Sequence, residues 1–250
     1  MRKAYVAGNW KMNLTIKEAT DLAKGLVDGL PADANADVAI VPQFLAISAV
    51  KEIVNGTPVK LGVQNVYFEN NGAFTGELST AMLKDAGVDF ALVGHSERRH
   101  VIGETDEIIR KKLDALIAAD LDVILCVGEQ LNEREADETE KVLDTQVTAG
   151  IKGLTSDQLA KVTIAYEPVW AIGTGKVASK EQAQAAHKFI RDLVAKMFSQ
   201  EDADKLRIQY GGSVKPDNAK ELLAQPDVDG ALVGGAALKA DSFLGIIAGA

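Results

Sequence analysis

Short apolar runs rich in Ala, Val, Ile and Leu recur eight times along this chain, with helix-like stretches between them. They cover residues 4–8, 38–41, 59–63, 90–93, 123–127, 162–166, 206–210 and 230–233. Most are almost continuously apolar, as strands covered on both faces should be. Residues 16–30 carry Ile16, Ala19, Ala23, Leu26 and Leu30 at helical spacing. Residues 105–119 open on Thr105-Asp106-Glu107, and residues 179–198 open on Ser-Lys-Glu, both helix-start patterns. Over 250 residues the eight units average roughly 31 residues each, which suits a strand–helix unit and hence a parallel sheet.

Two architectures compete for such a pattern. An open doubly wound sheet prefers a Gly-rich dinucleotide turn after an early strand. Here the first strand ends Gly8-Asn9-Trp10-Lys11, which is no such turn. The expectation is therefore an α/β fold, a (β/α)8 barrel of eight parallel strands surrounded by helices, one domain over residues 1–250. Its active site belongs at the C-terminal ends of the strands.

Charge and cysteine content narrow the function classes. Acidic residues outnumber basic ones by 36 to 27, a net charge of −9, which argues against a nucleic-acid partner. The acidic stretch 129–140 is broken by Arg134 and reads as the solvated face of a helix. The single cysteine, Cys126, excludes an intrachain disulfide. No apolar run approaches the ~18 residues a membrane helix needs. Met1-Arg2-Lys3 is not followed by the apolar core of a signal peptide. A reduced, cytoplasmic protein with no membrane partner is expected.

Strand side chains alternate between two faces. Ala7, Asn9 and Lys11 share one face; Ala91, Val93 and His95 share one; Thr163, Ala165 and Glu167 share one, opposite Val162, Ile164 and Tyr166. If the polar member of each set points into the barrel mouth, Asn9, Lys11, His95 and Glu167 converge there. Each alone has a bland explanation: a surface ion pair, a hydrogen-bonded histidine, a solvated lysine. Their joint arrival at strand ends points to catalysis. Two glycine pairs follow the seventh and eighth strands, in Tyr210-Gly211-Gly212-Ser213 and Gly234-Gly235-Ala236. Glycine lets backbone N–H groups approach an anion, and barrels of this type bind phosphate after these two strands. Gly173-Thr174-Gly175-Lys176 is only part of a P-loop, with Trp170 and Val177 at key positions, so nucleotide binding is not expected there. His95, His100 and His187 lack ligand spacing, and Cys126 reads as a packed residue, so no metal is expected.

The same segments carry a specific resemblance. Ala165-Tyr166-Glu167-Pro168-Val169-Trp170-Ala171-Ile172-Gly173-Thr174-Gly175 resembles the signature of the triosephosphate isomerase family. So do Gly8-Asn9-Trp10-Lys11-Met12-Asn13, Gly94-His95-Ser96-Glu97-Arg98-Arg99, Gln64-Asn65, Gly72-Ala73-Phe74-Thr75-Gly76-Glu77 and Cys126-Val127-Gly128-Glu129, in order along the whole chain. The resemblance implies a TIM barrel that interconverts glyceraldehyde 3-phosphate and dihydroxyacetone phosphate without a cofactor. It implies Glu167 as base, His95 as neutral electrophile, Lys11 as the positive charge and Asn9 as a positioning group. It places the substrate phosphate on N–H groups of Gly173, Ser213, Gly234 and Gly235. Glu97 would partner Lys11 or carry a proton, and Ile172, Tyr210 and Leu232 would support the site or its lid. Residues 168–178 are expected to close as that lid, with Ile172 over Glu167. The long loop 64–78 would dock into a second subunit of a homodimer, placing Thr75 beside the partner's active site. The chain departs from the family's frequent residues at Leu14, Thr80 and Ala237, the last raising a question of phosphate affinity.

Two rival classes remain. A Schiff-base aldolase barrel would need a lysine, commonly at the end of the sixth strand, where this chain has Glu167. A catalytically inactive barrel would keep the fold and lose turnover.

Overall fold

The computed structural model describes residues 2–172 and 177–250. Eight strands close into one barrel in sequence order: β1 Ala4–Asn9, β2 Ala36–Val41, β3 Val59–Val63, β4 Phe90–Val93, β5 Asp122–Val127, β6 Val162–Tyr166, β7 Ile208–Tyr210 and β8 Gly230–Val233. All neighbours are parallel, and β1 closes on β8 in the register Tyr5 with Gly230. This is the (β/α)8 barrel expected from the repeat. The seventh strand is shorter than its apolar run, beginning at Ile208 rather than residue 206.

Helices start where side chains can satisfy their free N–H groups. Thr15 caps Ile16–Gly29, and Glu18 reaches back to the Thr15 N–H. Ser179 and Gln182 do the same for Lys180–Met197. The helices cover an outer apolar layer that includes Val6, Ile40, Leu61, Val123 and Ile164. A second cluster fills the barrel itself: Tyr5, Ala7, Ala39, Val41, Phe90, Leu92, Ile124, Cys126, Ala165 and Leu232. Cys126 is fully buried there, and burial pushes its thiol well above the ordinary value, so packing is its part in the fold.

One expectation about strand faces needs correction. Ala91 and Val93 pack outward against the helices, while Phe90 and Leu92 fill the barrel. Strand parity alone would therefore send residue 95 outward. Gly94 resets the phase by adopting φ +71°, a left-handed turn that suits glycine, and His95 enters the mouth. Lys11 likewise lies beyond β1 with φ +51°, so its placement is set by a turn rather than by alternation.

His187, on the helix Lys180–Met197, is buried against the barrel. Its ring stands edge-on to Tyr166, and Nδ1 lies 3.2 Å from Asp227 O. Burial lowers its pKa from 6.5 to about 4, against a weaker opposite pull from the Asp227 carbonyl. Because the folded value is depressed, the unfolded chain takes the proton first. The stabilising contribution is complete above pH 6.5 and is lost as pH falls toward 4. His187→Gln is expected to remove about 3 kcal/mol of the stability loss over that interval, measured by urea unfolding at pH 7 and about pH 4.

Candidate active site

The ends of β1, β4, β6, β7 and β8 enclose a cavity of about 500 Å³ at the C-terminal mouth. Asn9, Lys11, His95, Glu167, Ser213, Gly234 and Gly235 all line it, as do Ile172 and Leu232. Tyr210 is buried on the helix side of β7, beside His187, and does not line the cavity. Gly173 lies outside the described residues, as does most of the expected lid tip.

Glu167 is 2 % exposed and follows directly on β6. Two glycines let its neighbours approach. A Cβ at Gly128 would sit 1.7 Å from Glu167 O, and one at Gly211 would sit 2.9 Å from Glu167 Cγ. The carboxylate accepts hydrogen bonds from the Ser96 N–H at 2.9 Å and the Ser96 hydroxyl at 3.0 Å. His95 Nε2 is 3.0 Å from the same carboxylate. The Glu97 N–H donates to His95 Nδ1 at 3.3 Å, so that nitrogen carries a lone pair. That contact places the ring proton on Nε2, facing the carboxylate. Glu97 Oε2 is 3.6 Å from Nδ1, beyond hydrogen-bond range, so the amide contact decides the tautomer.

Lys11 is held at three atoms. Its N–H donates to Asn9 Oδ1 at 3.0 Å, its carbonyl accepts from Gln64 Nε2 at 2.7 Å, and its ammonium pairs with Glu97 at 2.7 Å. Its Cε lies 3.4 Å from where a Gly234 side chain would begin, so the lysine stem runs beside the glycine pair. Gly235 opens the short turn Gly235–Leu238, and Gly235 and Ala236 line the cavity beyond β8. Ala237 packs against Gly8 and does not line the cavity, which bears on its expected influence on phosphate.

Three features escaped the sequence reading. Ser96 holds Glu167, but nothing in its spacing marks it apart from its place after His95. Lys215 adds a second cation to the cavity wall. Glu129 is fully buried rather than on a solvated helix face. Its Oε1 accepts from Tyr166 OH at 3.1 Å and Trp170 Nε1 at 2.9 Å, with Arg134 3.3 Å away. The stretch 129–140 instead forms the short helix Leu131–Glu135 and the start of Thr139–Ile151. Among the described residues no group of three or more His, Cys, Asp and Glu is placed to hold a metal.

A closed parallel barrel with a carboxylate–imidazole pair and a glycine-rich rim at its C-terminal mouth defines a (β/α)8-barrel protein of the enzyme type. The family model described as Triosephosphate isomerase matches residues 4–250. A triosephosphate isomerase from Rhodopirellula baltica is 55% identical over 98% of this chain and 97% of its own length. One from Carboxydothermus hydrogenoformans is 54% identical over 100% and 99%, and one from Chloroherpeton thalassium 52% identical over 99% and 98%. The chain belongs to the triosephosphate isomerase family.

Proposed function

We propose that this chain interconverts D-glyceraldehyde 3-phosphate and dihydroxyacetone phosphate through an enediolate, with Glu167 as base and His95 as neutral electrophile. The observation that carries the reading is His95 Nε2 and the Glu167 carboxylate 3.0 Å apart at the mouth of the cavity. Glu167 takes a proton from one carbon, and the electron pair moves onto the carbonyl oxygen. His95 Nε2–H and the Lys11 ammonium stabilise that oxygen, and Asn9 positions it. Glu167 then returns the proton to the adjacent carbon, so no redox cofactor is needed. Ser96 occupies the carboxylate's lone pairs until the substrate draws it away. Gly234, Gly235 and Ser213 offer N–H groups to the phosphate, beside Lys11 in a chain that is otherwise acidic. A closing segment over the bound intermediate would exclude water and prevent phosphate loss. The test is a coupled isomerase assay with glyceraldehyde 3-phosphate and no added metal or cofactor. Absence of turnover in well-folded protein would leave an inactive barrel. A borohydride-trapped adduct with dihydroxyacetone phosphate would indicate an aldolase.

The working unit is proposed to be a homodimer of single-domain chains in the cytoplasm. Met12, Leu45 and Val101 are 95 %, 77 % and 82 % exposed, an apolar display that suits coverage by a partner. Met12, Leu14, Ile16, Phe44 and Leu45 line a groove of about 470 Å³. The loop after β3 carries the matching element. Tyr67 stacks on Phe68 at 4.2 Å and meets Phe74 at 4.7 Å, which braces the loop below exposed Thr75. Thr75→Arg would place a charge in the second subunit's groove. Sedimentation is expected to shift from about 53 kDa to the single-chain 26.6 kDa, with activity largely lost. A fully active wild-type monomer would refute the assembly. No helix among the described residues is long and apolar enough to cross a membrane.

A further inference from the structure

The chemistry proposed above needs His95 at the mouth, and β4 alone does not take it there. The left-handed turn at Gly94 does. That turn sits one step beyond the last β4–β5 register pair, Val93 with Leu125. It leaves two backbone carbonyls, those of Gly94 and Cys126, facing the same small space.

One guanidinium serves both. Arg99 Nε donates to Gly94 O at 2.7 Å, and Nη2 donates to Cys126 O at 3.1 Å. Nη1 donates to Asp106 Oδ1 at 2.6 Å, at the first residue of the helix Asp106–Ala118. The Arg99 side chain is only 7 % exposed. Its Nη2 lies 2.9 Å from where a Cβ on residue 94 would be, so any side chain there would collide with it. The Arg99 backbone N–H also donates to His95 O at 3.1 Å. One residue thus grips the chain on both sides of the turn. Ser96, which holds Glu167 by two hydrogen bonds, rides on the same turn.

We infer that Arg99 is a positioning residue for the isomerisation: it touches no substrate, and its fork fixes the Gly94 turn that aims His95 and Ser96 at Glu167. Asp106 orients the fork from outside. A lysine ammonium lacks the planar geometry to serve both carbonyls at once. The phosphate-side glycines, Gly234 and Gly235, are not attached to this turn, and Lys11 meets it only through the Glu97 carboxylate, so substrate affinity should largely survive its loosening. The inference rests on the isomerase reading, with Glu167 and His95 as the reacting pair.

The experiment compares Arg99→Met and Arg99→Lys with the wild type, in purified full-length protein, by steady-state kinetics on glyceraldehyde 3-phosphate. Misplacement near 1 Å costs ~10²-fold in rate, so kcat should fall ~10²-fold for Met and ~10-fold for Lys, with KM within about twofold. Nitrogen-15 histidine NMR supplies a second readout. The wild type should show His95 as the Nε2–H tautomer, and Arg99→Met should show a mixture. A kcat within twofold of wild type, or a change confined to KM, would overturn the role. If the Met variant does not fold, the Lys variant decides by the same criteria. Glu167→Asp and His95→Gln are run alongside. If both keep wild-type turnover, the isomerase reading itself fails. If both lose it while the Arg99 variants keep it, only the positioning role fails.

Discussion

Glu167→Asp is expected to lower kcat by ~10²-fold while KM changes by less than about threefold. Removing one methylene draws the carboxylate back by roughly 1 Å, a distance at which proton transfer loses its alignment. The surroundings cannot follow. Gly128 and Gly211 already press on the Glu167 backbone and Cγ, which fixes the starting point of the side chain. The shortened carboxylate would also leave Ser96 N–H and the Ser96 hydroxyl with longer bonds. Charge and the groups proposed to hold phosphate are unchanged, so binding should be nearly preserved. Steady-state kinetics in both reaction directions measure the split. An Asp variant within twofold of wild type would remove Glu167 from the role of base.

Lys11→Met should act differently, lowering kcat/KM by ~10³-fold through both turnover and binding. Methionine keeps much of the stem's bulk and deletes the charge. The chain carries a net −9, so a doubly charged substrate is drawn in only by local cations and N–H groups. The loss would also free Glu97, now paired with Lys11 at 2.7 Å, to repel the substrate. A rise in KM with kcat intact would make Lys11 a binding residue alone. Unchanged values of both would exclude it from the site.

Together these variants separate two parts of the cavity. One part, Glu167, His95 and Ser96, is a tightly packed proton-transfer unit with little solvent. The other, Lys11 and the Gly234–Gly235 rim, is more open and electrostatic. The first should tolerate almost no change in length, and the second almost no change in charge.

Much of the barrel was legible in the sequence because a parallel strand buried on both faces must be apolar along its length. The eight runs therefore appear as composition, whatever the tertiary details. The glycine pair after β7 was legible because a close approach excludes side chains there, Gly211 lying against Glu167 and the Tyr166 carbonyl, whereas Gly235 after β8 has open space around it. Asn9 and Glu167 followed from alternation, since each lies at or next to the end of a regular strand. His95 and Lys11 did not, although both line the mouth. Their directions depend on left-handed turns at Gly94 and Lys11, where the two-residue period no longer applies. Those turns are held by distant partners, Arg99 with the Cys126 carbonyl and Gln64 with the Lys11 carbonyl. Glu129 likewise reads as one more surface acid until Tyr166, Trp170 and Arg134 converge on it. The sequence by itself determined the barrel and the kinds of groups at its rim. Only the tertiary structure decided where those groups point, because beyond a strand's last ladder pair the backbone takes its dihedral angles from long-range hydrogen bonds.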